Sequence, residues 1–307
     1  MKNIWNKISN DWKGALYANL VGCILCVFAT LLSEQVSEMR GLMVFSEFFI
    51  VPFIMGILCV KFLNEDELSG KKLFVVAIQV FAITLAWAVF ILGEGYICLL
   101  IVSPVIIACL YAGALLGRLL YNRHLDRFKS SIIGVLLVVY LLDIIFTHSI
   151  PYEVGDTLLV NAPPSKVWNN VVAFDEVEDP SEYWLFDIGL PKVVKATVIE
   201  RKVGGDRKCV FENGIAFDEK IVVYDSLKDL TFDIVKMPED PEIIGHINLK
   251  RGQFKLKDNG NGTTTLIGTS WYDLKVFPAW YYNIWAESIT REVHLRAMKH
   301  IKKLSER

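Results

Sequence analysis

The stretch that decides the fold is PAWYYNIWAESITREVHLRAMKHIKKL, residues 278–304. It holds no glycine, and its one proline, Pro278, stands at the start, so nothing inside interrupts a helix. Tyr281, Trp285, Ile289, Val293, Ala297 and Ile301 recur every fourth residue, and such a stripe must lie on something apolar. The candidate partner is upstream. Val193–Arg201, Asp206–Glu212, Ala216–Tyr224, Asp229–Val235, 246–258 and Thr263–Asp273 read as strands parted by turn residues. Gly204-Gly205, Asn213-Gly214 and Asn259-Gly260-Asn261-Gly262 are the clearest of those turns. Earlier still, Tyr152–Val160 reads as a strand. Asn161-Ala162-Pro163-Pro164-Ser165 then opens a helix, with Ser165 able to cap it and Val167, Trp168, Val171 and Val172 as its apolar face. The order strand, helices, six strands, long helix is α+β. A curved antiparallel sheet wrapped around the last helix would bury the stripe and leave a cavity.

Upstream of Pro151 the composition changes. The 307-residue chain is 53% hydrophobic with mean hydropathy +0.39, more apolar than a soluble domain of ordinary make-up. Residues 1–150 carry 11 Lys/Arg and 10 Asp/Glu, whereas residues 151–307 carry 21 and 24. No basic excess exists in either half, which argues against nucleic acid as a partner. Five apolar runs stand out: Ala15–Leu32, Phe45–Phe62, Leu73–Leu92, Ile97–Leu120 and Ile132–Phe146. A span needs about 20 residues, so the expectation is a membrane all-α bundle of about five transmembrane helices over residues 1–149. The α+β domain follows over 150–307. The fifth run is the shortest of the five.

Positive charge in the connections alternates: Lys2, Lys7 and Lys13; then Arg40 alone; then Lys61, Lys71 and Lys72; then none over Gly93–Tyr96; then Arg118, Arg123, Arg127 and Lys129. By the positive-inside rule the N-terminus is expected in the cytoplasm of a cell with the chain in its inner membrane. Five spans put the C-terminal domain outside; if the fifth run does not cross, it is cytoplasmic. Leu20-Val21-Gly22-Cys23 imitates a lipoprotein cleavage box, but the apolar run continues through Phe28, as in an uncleaved helix. Five of the six cysteines lie in apolar runs and read as small apolar fillers. Asp143 and Glu47 are the polar groups of the membrane half. Each is either part of an ion path or a carboxylate near a span's end that reaches interfacial water.

One hairpin can be read further. Arg207, Cys209 and Phe211 share a face, as do Phe217, Glu219, Ile221 and Val223. A two-residue Asn213-Gly214 turn would set those faces on opposite sides. A three-residue loop with Gly214 left-handed pairs Phe211 with Phe217 and Cys209 with Glu219, which the apolar pattern prefers. Arg207 and Glu219 then become diagonal neighbours and are expected to pair. They form either a polar anchor in a cavity or a pair at the sheet edge.

Residues 152–304 resemble the SRPBCC superfamily of START-like and polyketide-cyclase-like helix-grip domains. The resemblance rests on 158–168, Leu-Leu-Val-Asn-Ala-Pro-Pro-Ser-Lys-Val-Trp, which is similar to that family's first strand and helix. Further stretches, Gly189-Leu190-Pro191, 205–211, Gly252-Gln253-Phe254, Gly268-Thr269-Ser270-Trp271-Tyr272 and 292–296, are similar to a bacterial branch with membrane helices ahead of the domain. No shared catalytic motif comes with the superfamily. The resemblance implies an apolar-ligand cavity and nothing sharper. The residues expected at such a site are Arg207, Phe211, Phe217, Glu219, Phe232, Phe254, Trp271, Tyr272, Trp285 and His294, with a membrane lipid or apolar small molecule as the expected partner and no cofactor.

No phosphate loop, metalloprotease motif or nucleophile elbow is present. His294 and His300 are six apart on the helix and point apart, so no metal site is expected. Trp280, Tyr281, Tyr282 and Trp285 either anchor the domain at a lipid interface or pack the helix onto the sheet. Three functions follow: binding of a hydrophobic molecule at the membrane; a sensory or interaction module acting on a membrane protein partner or a second copy; or a cyclase- or hydrolase-like enzyme using Glu219, Arg207 and Tyr272.

Overall fold

The structure, a computed structural model, describes residues 9–34, 45–63, 68–122, 126–145, 149–177, 182–238, 240, 242, 247–276 and 278–307. His124, His148 and His246 lie outside these. The chain forms two compact units, Met1–His148 with Val276–Pro278, and Ser149–Lys275 with Ala279–Arg307.

The first unit is helical: α1 (Asn10–Glu34), α2 (Phe45–Phe48), α3 (Ile50–Cys59), α4 (Gly70–Trp87), α5 (Tyr96–Asn122) and α6 (Asp126–Ile145). Among the described residues three stretches, Asn10–Ala29, Gly70–Leu92 and Tyr96–Tyr121, are long and apolar enough to cross a membrane, where five were expected. The second apolar run breaks at Phe49. Pro52 has no N–H for the Phe48 carbonyl and its ring crowds that group, so the helix stops there and restarts as α3. Within the last helix, the apolar stretch among the described side chains is Ser131–Leu141. The Asp143 side chain lies outside the described residues, and Glu47 is half-buried in α2.

Nine of the ten residues of α3 are buried. Its neighbours approach through glycine: a Cβ on Gly113 would sit 2.2 Å from the Phe53 carbonyl oxygen, and one on Gly56 2.2 Å from that of Leu110. Gly113 and Gly117 are four apart on α5, the small-xxx-small spacing of close helix pairs. Asn19, buried on α1, donates to the Ala15 and Val80 carbonyls and accepts from Thr84 and the Trp87 indole. All of its bonding capacity is used, as a polar group away from water requires.

The second unit contains β1 (Ile150–Val160), α7 (Pro164–Val172), α8 (Trp184–Asp187), β2 (Val193–Val198), β3 (Asp206–Phe211), β4 (Ala216–Asp225), β5 (Asp229–Lys236), β6 (Ile247–Asp258), β7 (Thr264–Leu274) and α9 (Ala279–Ser305). One antiparallel sheet runs β1-β7-β6-β5-β4-β3-β2, so the first strand pairs with the last. Register shifts at Val193/Lys195, Asp218/Glu219, Ile221/Val223 and Leu249/Arg251 curl it into a half-barrel. Helix α9 packs on β1, β7 and α7. This is the helix-grip arrangement. Its core joins Trp168 and Val171 of α7, the inner faces of the strands, and Ala297, Met298 and Ile301 of α9.

Three details differ from expectation. Helix α7 starts at Pro164, with Pro163 as its cap residue and no side-chain cap bond, because proline at the first helical position presets φ and lacks only an N–H that would go unpaired; Ser165 is exposed. The β3–β4 loop has three residues, Glu212-Asn213-Gly214, with Gly214 at φ 80°. It starts one residue earlier than read from sequence, so Cys209 faces Phe217 and Arg207 faces Glu219 directly. Finally, α9 buries Thr290, His294, Ala297, Met298 and Ile301, while Tyr281, Trp285, Ile289 and Val293 are only half-buried. Four residues turn a helix about 40° past a full circle, so a strictly four-spaced stripe winds off the face that meets the sheet.

Candidate functional site

Strand alternation sorts the sheet into an inner face toward α9 and an outer face toward solvent. On the inner face, side chains line up in rows across the strands. One row begins with Arg207 opposite Glu219, continues through Ile234 and Leu249, and ends with Tyr272 opposite Tyr152. The next runs Ile221, Phe232, Gly252, Ser270, Val154. Beyond these the interior is solid. The Phe232 ring stands 2.5 Å from where a Gly252 Cβ would be, and the Met298 sulfur 2.5 Å from where a Gly268 Cβ would be. The two glycines are where the sheet lets large side chains fill the barrel. In the first row Ile234 and Leu249 stay half-buried, as does Val293 on α9.

At one end of that row Arg207 and Glu219 form a buried ion pair, their side chains 2% and 5% exposed. The guanidinium also reaches the Val172 carbonyl oxygen with Nε and lies 4.4 Å from the centre of the Phe232 ring. Burial pushes the Glu219 carboxyl above its ordinary range, while Arg207 holds it down. The neighbouring Cys209 thiol is pushed up to about 12, by burial first and by Glu219 second. Phe211 and Phe217 meet at 5.3 Å, and Phe232 and Phe254 at 6.2 Å. Six of the expected residues, Arg207, Phe211, Phe217, Glu219, Phe232 and Phe254, are therefore brought together.

A second polar cluster lies under α9. His294 Nε2 is 2.7 Å from Asp156 on β1, and Nδ1 is 3.4 Å from the Ser270 hydroxyl on β7. Arg291 Nε is 3.3 Å from the same Asp156 carboxylate, and its other end pairs with Glu287. Burial, the largest influence, lowers the His294 pKa, so the ring is neutral near pH 7. The carboxylate assigns the proton to Nε2, leaving the Nδ1 lone pair toward the serine. Beside it, the Tyr272 hydroxyl donates to Asn283 at 2.9 Å, and burial raises its pKa.

Of the other expected residues, Trp285 is half-buried against Trp184 at 6.5 Å. Trp271, next to Tyr272 in β7, points to the outer face by alternation and donates to Glu153. It lines an outer groove of about 800 Å³ with Thr231, Asp233, Arg251 and Gln253. The β5–β6 ladder ends at the Asp233–Arg251 pair, and past it the groove touches inner-face Ile234 and Leu249. Asp156, Ser270 and Arg291 were not singled out from sequence. The signal was available: Tyr152, Val154, Asp156, Leu158 and Val160 alternate, so a carboxylate falls on an otherwise apolar face.

No family model matches the chain, and no curated protein matches it. Among solved structures it is similar to norcoclaurine synthase from Thalictrum flavum, at 16% identity over 51% of this chain and 87% of that one, with a TM-score of 0.35. A protein from Nitrosospira multiformis gives 17%, 51%, 100% and 0.32, and XoxI from Bacillus cereus 14%, 50%, 94% and 0.35. Likenesses this distant leave the fold to be read from the strand order itself.

Proposed function

We propose that the helix-grip unit binds a hydrophobic small molecule or lipid on the inner row between Arg207–Glu219 and Tyr272, and that the apolar helices hold it in a membrane. The observation that carries this reading is the half-burial of Ile234 and Leu249 on the inner face, in the row that ends on the Arg207–Glu219 pair and Tyr272. Apolar side chains left partly uncovered beside a few fixed polar groups are the make-up of a site for an apolar ligand. The groove where β5 and β6 part supplies a way in. The test uses cis-parinaric acid, which fluoresces on entering an apolar site, and the full chain in nanodiscs made with and without the protein. Leu249→Trp should fill the row and abolish the protein-dependent signal, while Leu159→Ser, on the outer face of β1, should keep it. Equal signals from both variants would remove the site.

A second reading, an enzyme, is favoured by the neutral His294 held between Asp156 and Ser270. A base of that kind can take a proton from a bound ligand. Turnover of a candidate substrate that survives His294→Gln unchanged would dismiss it.

A further inference from the structure

The second unit carries one apolar surface that its own packing leaves uncovered. At the start of α9, Trp280 is 70% exposed and Ile284, one turn on, 63%. Trp184 and Ile188 are exposed as well, and Trp184 touches Trp285, which sits next to Ile284. Scattered exposed apolar residues are ordinary, but two tryptophans and two isoleucines together mark a contact surface. From Ala279 to Ala286 no residue is charged, so nothing there resists leaving water. The rest of α9 is unlike this: Glu287, Arg291, Glu292, Arg296 and Lys299 follow.

The place of the patch says what covers it. The last apolar run of the sequence reaches Phe146 and β1 begins at Ile150, so only a few residues of chain join the unit to that run. Ile150 pairs with Leu274, the last residue of β7, and α9 starts five residues later. The tether and Trp280 therefore leave from the same end of the sheet. Tryptophan and tyrosine side chains concentrate at the membrane–water boundary, where an apolar ring and a polar N–H or O–H are both accommodated. We propose that Trp280 and Ile284, with Trp184 and Ile188, seat the helix-grip unit in the headgroup–acyl boundary of a lipid bilayer. The aromatic start of α9 is thus a lipid contact, and only the remainder of the helix is a lid on the sheet. The proposal rests on the reading that the apolar helices cross a bilayer, and it is independent of whether the inner row holds a ligand.

The experiment uses the full chain in phosphatidylcholine nanodiscs, with and without bromine on the acyl chains near the headgroup. Trp280→Phe and Trp12→Phe variants give the emission of each tryptophan by difference. Bromolipid is expected to remove at least about half of the Trp280 emission, and that of Trp12 at the head of α1 as well. Quenching of Trp12 alone overturns the docking proposal and leaves the membrane reading standing. Quenching of neither overturns both. An unquenched Trp280 with the blue-shifted emission of a buried indole means that a protein surface, such as a second copy, covers the patch, and this too overturns the proposal.

Discussion

Replacing Glu219 with leucine leaves the Arg207 guanidinium buried without its carboxylate. Breaking a buried pair in this way costs about 3–5 kcal/mol, most of it the uncompensated charge. Arg207 keeps the Val172 carbonyl and the Phe232 ring face, so the loss should fall in the lower half of that range. Arg207→Met is asymmetric with it, because an abandoned carboxyl can take a proton. The Glu219 pKa is already raised by burial, with Arg207 the influence opposing the rise; without Arg207 it climbs further. A carboxyl whose folded pKa exceeds its unfolded value destabilises above the folded pKa and ceases to below the unfolded one. The Arg207→Met loss should therefore shrink as pH falls from neutrality toward 4.5. The double variant, Arg207→Met with Glu219→Leu, should recover most of the stability lost by either alone. The assay is urea unfolding of the full chain in mild detergent, read as alkylation of Cys209 by mass spectrometry. That thiol, pushed up to about 12, reacts slowly until β3 opens. If the double variant is as unstable as Glu219→Leu, the cost lies in lost packing and the ion-pair account is refuted.

The same unfolding assay checks the first two of three further expectations. Gly252→Ala drives a methyl into the Phe232 ring and should lose about 1–3 kcal/mol, more than Gly268→Ala, whose obstacle is the flexible Met298 thioether; equal losses would contradict the packing described. His294 has a folded pKa below its ordinary 6.5, so the unfolded chain takes up its proton first and stability should fall as pH drops below 6.5. His294→Gln should flatten that fall, and an unchanged profile would assign it to other groups. In the helical unit, Gly113→Ala forces α3 and α5 apart and should lower the thermal aggregation temperature in micelles. Gly134→Ala, where nothing lies within 4 Å, should not.

The strands were legible because turn chemistry punctuates them. Gly204, Gly214, Gly260 and Gly262 all take positive φ, which glycine adopts without strain, and each falls between two runs. Registers were less legible. Asn213-Gly214 admits loops of two or three residues, and where the three-residue loop begins depends on the left-handed Gly214 standing directly before Ile215. The slip moved the partner of Arg207 from diagonal to direct but kept Arg207 and Glu219 on one face, so the ion pair survived; Val223, read on that face too, is turned to the outer face by the irregularity between Ile221 and Val223. Trp271 and Tyr272 were both expected at the site, although neighbours in a strand cannot share a face. In the helical unit hydropathy showed five apolar runs but not where a helix breaks, because Pro52 acts through its missing N–H and not through its hydropathy.

The winding stripe of α9 joins these points into one account. A helix meant only to cover a sheet would alternate three- and four-residue spacings and keep its apolar side chains on one line. This one keeps strict fours from Tyr281 to Ile301, so its apolar line crosses from one side of the helix to the other. At Ala297 and Ile301 the line faces the closed core. At Val293 it is half-buried, and at Trp285 it has turned to Trp184 and the exposed patch. The spacing that misled the sequence reading about burial thus divides one helix among three surroundings: packed core, half-buried middle and uncovered apolar surface.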